Sequence, residues 1–431
     1  MKLTVCSLLW LWLGAGTPEA QPVANSQQLD VTSYYLFLEP SIEQGTVVGK
    51  EIIEFQLLTP SSNVTFDAGS LEIDSVLGAQ VLGFEKINRQ LRVQLVEDPG
   101  LNQRVTIFYH GSPASGMFFN PELGQAHTVY ATSQWMICND APHDKAQFRL
   151  DLLIPNDKQC ISNGELEKIT PKQDKTLYSW RQQYQAPAYT YGLVIGDFNS
   201  FEEISGRIVF KYWSSMHNTV ELKTIFKATP DMLRFFEEKS GVPYYQTVYS
   251  QVLIGNHYQE MSGFSVLKDT YGPLILEDSS VINLVSHELS HQWWGNQITC
   301  RNWNHFWLNE AFATFMSAAY NEHRFGKQKY LADIDSYFQV YQKIRDQGKD
   351  RSLVFESWSN PTSTDRNLVY FKGAYVLHLL RQELGDNAFW QGVLAYSSHY
   401  FGKSVVTKDF QQAMEASSGK SLADFFDQWV Y

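Results

Sequence analysis

The chain has 431 residues, of which 44% are hydrophobic and 19% charged, and its formal net charge at pH 7 is −12. This length exceeds one ordinary hydrophobic core, so we expect a globular protein of two or three domains. The acidic balance argues against a nucleic-acid partner, which favours a basic face. It is compatible with attraction of cationic peptides.

The N-terminus resembles a secretory signal peptide. Lys2 precedes an apolar run, 3–13, and a segment rich in small residues follows up to Ala20. We therefore expect a signal peptide over 1–20 with cleavage after Ala20, and a secreted, extracellular or periplasmic protein. An uncleaved membrane anchor is the alternative. The apolar run is short for a membrane span, so we expect no stable membrane insertion of the mature chain.

The first half of the mature chain has the pattern of short strands. Apolar and β-branched runs such as 34–39, 47–58, 91–96, 105–109, 147–154 and 176–184 are separated by Gly, Asn, Asp and Pro signals. This pattern predicts an antiparallel β-rich N-terminal domain over 21–205. Three cysteines remain after residue 20, so at most one internal disulfide is expected.

The period changes to a helical one in the second half. One helix is predicted from Glu221 to Gly241, and further helices over 309–324, 330–345, 373–384, 387–400, 407–417 and from 422 onward. Asp278-Ser279-Ser280 offers an N-cap for a helix that ends near Gly295. The fold class is therefore α+β and multidomain, with a mainly helical second domain over 206–431.

The helix predicted before Gly295 contains His287-Glu288-Leu289-Ser290-His291. Residues four apart lie on one helix face, so the two histidines can bind one metal ion while Glu288 lies beside them. A catalytic zinc usually takes three protein ligands and keeps one open position. Glu310, separated from His291 by eighteen residues, is the candidate third ligand. The alternative is two surface or core histidines with a neighbouring glutamate and no metal.

The H-E-x-x-H motif, the later Glu310 within Trp307-Leu308-Asn309-Glu310, and Trp293-Trp294-Gly295-Asn296 resemble the gluzincin metallopeptidases of family M1. The resemblance implies a thermolysin-like catalytic domain after a β-rich domain, and one Zn²⁺ per chain. Many family members continue with a large helical C-terminal domain, which we expect this sequence to lack. The implied partner is a peptide or protein substrate; the oligomeric state is left open.

The resemblance also assigns catalytic roles. It implies that Glu288 is the general base that takes a proton from the attacking water. Tyr370, in Tyr370-Phe371-Lys372-Gly373, matches the family's Y-x-K-G pattern. The resemblance implies that this tyrosine donates a hydrogen bond to the oxyanion.

The residues that bind a substrate's free N-terminus depart from the family pattern. The family's G-x-M-E-N loop corresponds to Gln259-Glu260-Met261-Ser262-Gly263, so Ser262 and Gly263 replace the glutamate and asparagine. Upstream, Gln134 is kept, but Met136 stands in the acidic position. On a strand, Glu260 would point to the opposite face unless a bulge restores it. Gln134, Glu260, Met261, Ser262 and Gly263 remain the candidate substrate-binding residues.

Three functions follow from this departure. The first is an aminopeptidase whose N-terminus-binding site is atypical and uses Glu260 or another acid. The second is a peptidase that cleaves internally or removes blocked or modified residues, and so needs no free α-amine. The third is a non-catalytic, zinc-containing peptide-binding protein.

Overall fold

The computed structural model describes residues 29–356, 358 and 361–431. The signal-peptide prediction, 1–20, lies outside these residues. The described chain divides into two compact units, residues 29–222 with 246–269 and residues 223–245 with 270–431. Within the described residues, no helix is long and apolar enough to cross a membrane.

The first unit is built from β-strands. They are β1 (Leu29–Ser41), β2 (Thr46–Leu57), β3 (Asn63–Asp67), β4 (Glu72–Leu77), β5 (Val81–Ile87), β6 (Gln90–Leu95), β7 (Asn102–Gly111), β8 (Met117–Asn120), β9 (Gln125–Thr128), β10 (Lys145–Pro155), β11 (Gln159–Ser162), β12 (Glu165–Pro171), β13 (Lys175–Pro187), β14 (Leu193–Gly196), β15 (Asn199–Ser205), β16 (Ile208–Ser214), β17 (Val248–Leu253), β18 (Gln259–Met261) and β19 (Phe264–Leu267).

These strands form four sheets. Their orders are β12-β13-β10-β1-β2-β7-β4, β11-β14-β9-β8, β3-β6-β5 and β15-β16-β17-β19-β18. Pairing is mostly antiparallel, as predicted, but β1 runs parallel to β10, and β17 runs parallel to both β16 and β19. The core of this unit is apolar because alternate residues of β1, β2 and β7 point inward.

The second unit is mainly helical, and α1 connects the two units along the chain. The helices are α1 (Thr219–Ile225), α2 (Thr229–Ser240), α3 (Tyr271–Glu277), α4 (Asn283–Ser290), α5 (Trp307–Phe325), α6 (Lys327–Asp346), α7 (Ser363–Asn367), the π-helix Leu368–Lys372, α8 (Gly373–Leu384), α9 (Asp386–Tyr400), α10 (Thr407–Ser418) and α11 (Ala423–Trp429), with a short pair of strands, β20 (Thr299–Cys300) and β21 (Ser404–Val405).

Two of the predicted helices differ from the structure by more than three residues at an end or in number. The single helix expected from Glu221 to Gly241 is two helices, because Pro230 lies in the first turn of the new helix α2 and cannot continue α1. The helix expected between Asp278 and Gly295 is also wrong at both ends. Asp278 accepts a hydrogen bond from the Ser280 amide in a turn, and α4 begins only at Asn283.

The cysteines of the described chain form no disulfide. Cys138, Cys160 and Cys300 are buried thiols, and none of the three is joined in a disulfide.

Candidate metal centre

Helices α4 and α5 pack against each other and carry the three predicted metal ligands. The Ser286 hydroxyl donates to the Ser317 hydroxyl at 2.8 Å, and Ser317 donates to the Asn283 carbonyl at 2.7 Å. These short polar side chains allow the two helices to approach closely. The helices thereby bring His287 and His291 of one H-E-x-x-H motif to Glu310.

Three electron-pair donors meet at this crossing. The Nε2 atoms of His287 and His291 lie 3.1 Å apart. Glu310 Oε2 lies 3.4 Å from the first and 3.5 Å from the second. All three side chains are buried, and Glu310 Oε2 has no hydrogen-bond donor. We call His287, His291 and Glu310 the ligand triad.

Hydrogen bonds behind the triad fix which ring nitrogens carry hydrogen. The Nδ1 of His291 lies 2.9 Å from the Trp294 carbonyl oxygen, which can only accept, so this nitrogen is protonated. The Thr314 hydroxyl donates to the Glu310 carbonyl at 2.8 Å and lies 3.5 Å from His287 Nδ1, which therefore donates to it. Both Nε2 atoms consequently present lone pairs when the rings are neutral.

Electrostatics agree with a metal-binding arrangement. Burial lowers the pKa of His287 below its usual value, which keeps the imidazole neutral near pH 7. Burial opposes ionisation of Glu310, but attraction to His291 and His287, when an imidazole is protonated in the metal-free site, outweighs it and holds the pKa of this carboxyl below its usual value. Two neutral imidazoles and one carboxylate form a donor set that suits zinc.

The distances also fit a metal ion. Three ligand atoms about 2.0–2.1 Å from one centre in a tetrahedron lie roughly 3.3 Å from each other. The observed separations of 3.1, 3.4 and 3.5 Å are close to this value. A group of three lone pairs facing each other in a buried place is unfavourable by itself, so these residues fit a cation.

Two further predicted residues belong to the same unit. Glu288 follows His287 on α4 and is buried. Tyr370 lies in the π-helix, and its ring stacks on His287 with the centroids 5.9 Å apart and an interplanar angle of 12°. The π-helix packs on α5. Gly373, the first residue of α8, allows this approach, because a Cβ on Gly373 would lie 2.5 Å from the Cβ of Ala311 on α5.

The predicted substrate-binding residues all belong to the first unit. Gln134 ends a short 3-10 helix, Thr132–Gln134, which packs on a second one, Ala188–Thr190. Strand β18, which carries Glu260, packs on this second 3-10 helix as well. All of the candidate side chains here are buried.

Strand β18 pairs with β19 without a bulge. Glu260 lies opposite Ser265, and Met261 opposite Phe264. Because strand side chains alternate, Glu260 points away from the face on which Met261 contacts Gly192.

Ser262 is held by neighbours on several sides. Its hydroxyl accepts from the Gln246 amide at 3.3 Å, and its backbone carbonyl accepts from Asn163 at 2.8 Å. Its backbone N–H donates to the Thr190 carbonyl at 3.0 Å. The residue that replaces the family glutamate is thus completely buried.

Several residues of this centre were not singled out from the sequence. Thr314 follows Glu310 by four positions on α5, so helical spacing could have suggested it. No comparable pattern in the sequence predicts the role of the Trp294 carbonyl or the position of the π-helix.

Comparison with known proteins agrees with this geometry. Residues 225–429 match the peptidase family M1 domain. The chain is 25% identical over 435 residues to "Probable aminopeptidase 1" of Saccharolobus solfataricus, covering 93% of this chain and 53% of that protein. It is 24% identical over 317 residues to "Probable aminopeptidase 2" of Sulfurisphaera tokodaii, covering 71% of this chain and 40% of that protein. The chain thus spans about half the length, or less, of these relatives.

Solved structures share the fold. A mutant of the M1 zinc metallopeptidase from Deinococcus radiodurans superposes with a TM-score of 0.82 at 21% identity, covering 95% of this chain and 96% of the other. The same mutant bound to a Tyr-Ser-Ala substrate superposes with a TM-score of 0.81 at 22% identity, with the same coverage. The shared fold and the matched domain are those of the M1 zinc metallopeptidases.

Residues 225–429 therefore form a peptidase family M1 domain, and the chain as a whole is similar to aminopeptidases and to an M1 zinc metallopeptidase. The family and the structural neighbours indicate zinc as its cofactor.

Proposed function

We propose that this protein is a secreted, zinc-dependent aminopeptidase with an atypical site for the substrate's N-terminus. The observation that carries the catalytic part is the convergence of two imidazole lone pairs and one orphaned carboxylate oxygen in the ligand triad. The substrate is a peptide or protein. We also propose a functional division into a β-rich domain over 21–205 and a catalytic domain over 206–431. This boundary falls at the end of β15, which pairs with β16.

In this proposal His287, His291 and Glu310 hold one zinc ion, which when bound acidifies water and polarises the scissile carbonyl. Glu288 accepts the proton of the attacking water and passes it to the leaving amine. The Tyr370 hydroxyl donates a hydrogen bond to the carbonyl oxygen as negative charge develops there. The stacking of Tyr370 on His287 supports this role, because it places the phenol beside a ligand ring.

The N-terminus of the substrate needs an anionic partner, because a desolvated ammonium is costly without one. Met136 and Ser262 stand where relatives carry acids, and both are buried and uncharged. We assign the recognition of the amine to Glu260, with Gln134, Met261, Ser262 and Gly263 forming its surroundings.

A second candidate function rests on the same replacement. If no acid of this region meets the substrate amine, the enzyme cleaves peptides internally or removes blocked residues. The burial of Ser262 and its bonds to Gln246 and Asn163 favour this candidate, because Ser262 serves the fold.

Three substrates separate the candidates. An amino-acyl reporter, its N-acetylated form and an N-acetylated, internally quenched peptide are each incubated with the zinc-loaded protein and with its Glu288→Gln variant. Cleavage of the first alone supports the aminopeptidase. Cleavage of either blocked substrate overturns it in favour of the second candidate, and no cleavage of any supports a peptide-binding protein without activity.

Secretion is tested separately. Expression of the full chain in a secreting host, followed by mass spectrometry, is expected to show a mature protein outside the cytoplasm that begins at Gln21. Retention of an intact N-terminus in the membrane fraction would contradict this part of the proposal.

A further inference from the structure

The turn that carries Tyr370 is a π-helix, Leu368–Lys372, placed between α7 and α8. Such wide turns are rare and are frequently found at functional sites. A helix advances about 100° per residue, so tightening this turn to α-helical winding would rotate Tyr370 relative to α8 by about that angle. The orientation of the Tyr370 hydroxyl therefore depends on what keeps the turn wide.

Lys372, the last residue of the π-helix, is fixed by a partly buried ion pair. Its Nζ lies 2.8 Å from Asp350 Oδ1 and donates to the Arg351 carbonyl at 2.6 Å. The Lys372 side chain is only 5% exposed. The Tyr341 hydroxyl donates to the other oxygen of Asp350 at 2.8 Å, which orients this carboxylate.

The neighbouring residue fixes the other end of the same segment. The Arg351 guanidinium pairs with Asp365 of α7, the helix that leads into the π-helix. Asp365 also accepts from the Thr362 amide at 2.6 Å in a capping box. Asp350 and Arg351, adjacent in the chain, thus hold both ends of the segment 363–372.

We propose that Lys372, held by Asp350, is a positioning residue that keeps the π-helical turn in the form that directs Tyr370 at the ligand triad. The inference rests on the proposed function, since it takes Tyr370 as the oxyanion donor. The described contacts of Lys372 are with Asp350, the Arg351 carbonyl and the Tyr341 ring, and none of these belongs to the triad. Lys372 acts on Tyr370 through the backbone of the π-helix, in which the two residues are two positions apart.

A general structural role would give a different result from a positioning role. If the ion pair only stabilises the fold, its removal affects the melting temperature, the zinc content and kcat equally whether or not the Tyr370 hydroxyl is present. A positioning residue affects kcat through Tyr370 alone, so its removal has no further effect once the Tyr370 hydroxyl is gone.

The test is a double-mutant cycle on the zinc-loaded full chain. Lys372→Met keeps the side chain as far as Cε and removes the ammonium group; Asp350→Asn is the second variant, used if Lys372→Met does not fold. The matched control is Lys329→Met, which removes another partly buried pair, Lys329 with Asp333, whose bonds belong to α6 and to Asn321 of α5. Each variant is measured alone and in the Tyr370→Phe background.

We expect Lys372→Met and Asp350→Asn to lower kcat about 10- to 100-fold, part of the loss typical of a missing oxyanion donor. KM should change less than about twofold, zinc content should stay at one per chain, and Lys329→Met should leave kcat unchanged. In the Tyr370→Phe background neither variant should lower kcat further. An equal loss in that background, or an equal loss in Lys329→Met, would overturn the positioning role.

A crystal structure of zinc-loaded Lys372→Met gives a readout that needs no activity. We expect the π-helix to tighten and the Tyr370 ring to leave its stack on His287. An unchanged turn would overturn the inference even if the wild-type protein hydrolysed nothing. Absence of hydrolysis by the wild type, with a displaced Tyr370 in the variant, would instead contradict the proposed function and support the positioning role.

Discussion

The Nε2 atoms of His287 and His291 lie 3.1 Å apart, and each presents a lone pair to the other. The hydrogen of each neutral ring is on Nδ1, where it is bonded to the Trp294 carbonyl or to Thr314. The carboxylate of Glu310 completes the group. These donors repel one another when no cation is bound, so we infer that this part of the fold is built to bind a metal ion.

Replacing Glu288 by glutamine separates metal binding from proton transfer. The side chain keeps its size but cannot accept a proton, and it is not a member of the ligand triad. We expect Glu288→Gln to retain about one zinc per chain and to lose all measurable turnover. Metal analysis and a reporter assay on the same preparation check this. Wild-type turnover in Glu288→Gln would refute the role of general base.

Replacing Tyr370 by phenylalanine removes only the hydroxyl. The stack on His287 should persist, so zinc and the fold are retained. The loss of an oxyanion donor should lower kcat by about two to three orders of magnitude. Steady-state kinetics measures kcat, and circular dichroism checks that the fold is retained. A Tyr370→Phe variant that worked at full rate would exclude this residue from catalysis.

Gly373 allows the turn of Tyr370 to approach α5. The Cβ of an alanine there would lie 2.5 Å from the Ala311 Cβ, so Gly373→Ala should destabilise the protein by about 1–3 kcal/mol through overpacking. Adding Ala311→Gly should recover part of this loss, because it removes the atom in the way. Urea unfolding of the three variants measures the difference. Purely additive effects of the two substitutions would show that the clash is not the cause.

Asp140 links stability to pH away from the metal centre. Burial and the neighbouring Asp67 raise the pKa of its carboxyl from 3.8 to about 7, against hydrogen bonds from Ser133 that lower it. Below pH 4 the carboxyl is protonated in both states and has no effect. Between pH 4 and 7 the unfolded chain releases the proton and the folded chain keeps it, so stability falls as pH rises.

Asp140→Asn removes this penalty. Its stabilising effect should be near zero at pH 4 and reach about 1–2 kcal/mol above pH 7, less than the full shift implies because the side chain is half-buried. Thermal unfolding of both proteins between pH 4 and 8 tests it. An effect that did not vary with pH would contradict the raised pKa.

The sequence allowed much of this structure to be predicted, because local patterns determine it. The helical period over 373–384 gives the bounds of α8, which the structure confirms. The spacing of His287 and His291 on one helix face predicted their meeting, and the structure brings them together. The prediction of Glu310 as the third ligand depended on its position at the start of the next helix, α5.

Other features depend on contacts between distant residues and could not be predicted. The π-helix could not be predicted, because its one extra residue shifts the apolar spacing by a single position, and a segment of five residues is too short to show this shift as a pattern. The pairing of Lys372 with Asp350 joins residues that are far apart in the chain. The early end of α4 at Ser290 follows from the turn in which the Trp294 carbonyl meets His291, although Gly295 looked like the natural stop.

The zinc content of Glu310→Gln tests the central claim most directly. Glutamine keeps the shape of the side chain but removes the anionic ligand, whereas Glu322→Gln, later on α5 and bonded to Arg381, changes a carboxylate outside the triad. After dialysis against a weak chelator, we expect about one zinc per chain in the wild type and in Glu322→Gln, and almost none in Glu310→Gln, with turnover following the metal. Full zinc occupancy in Glu310→Gln, or turnover in zinc-free wild-type protein, would contradict the account.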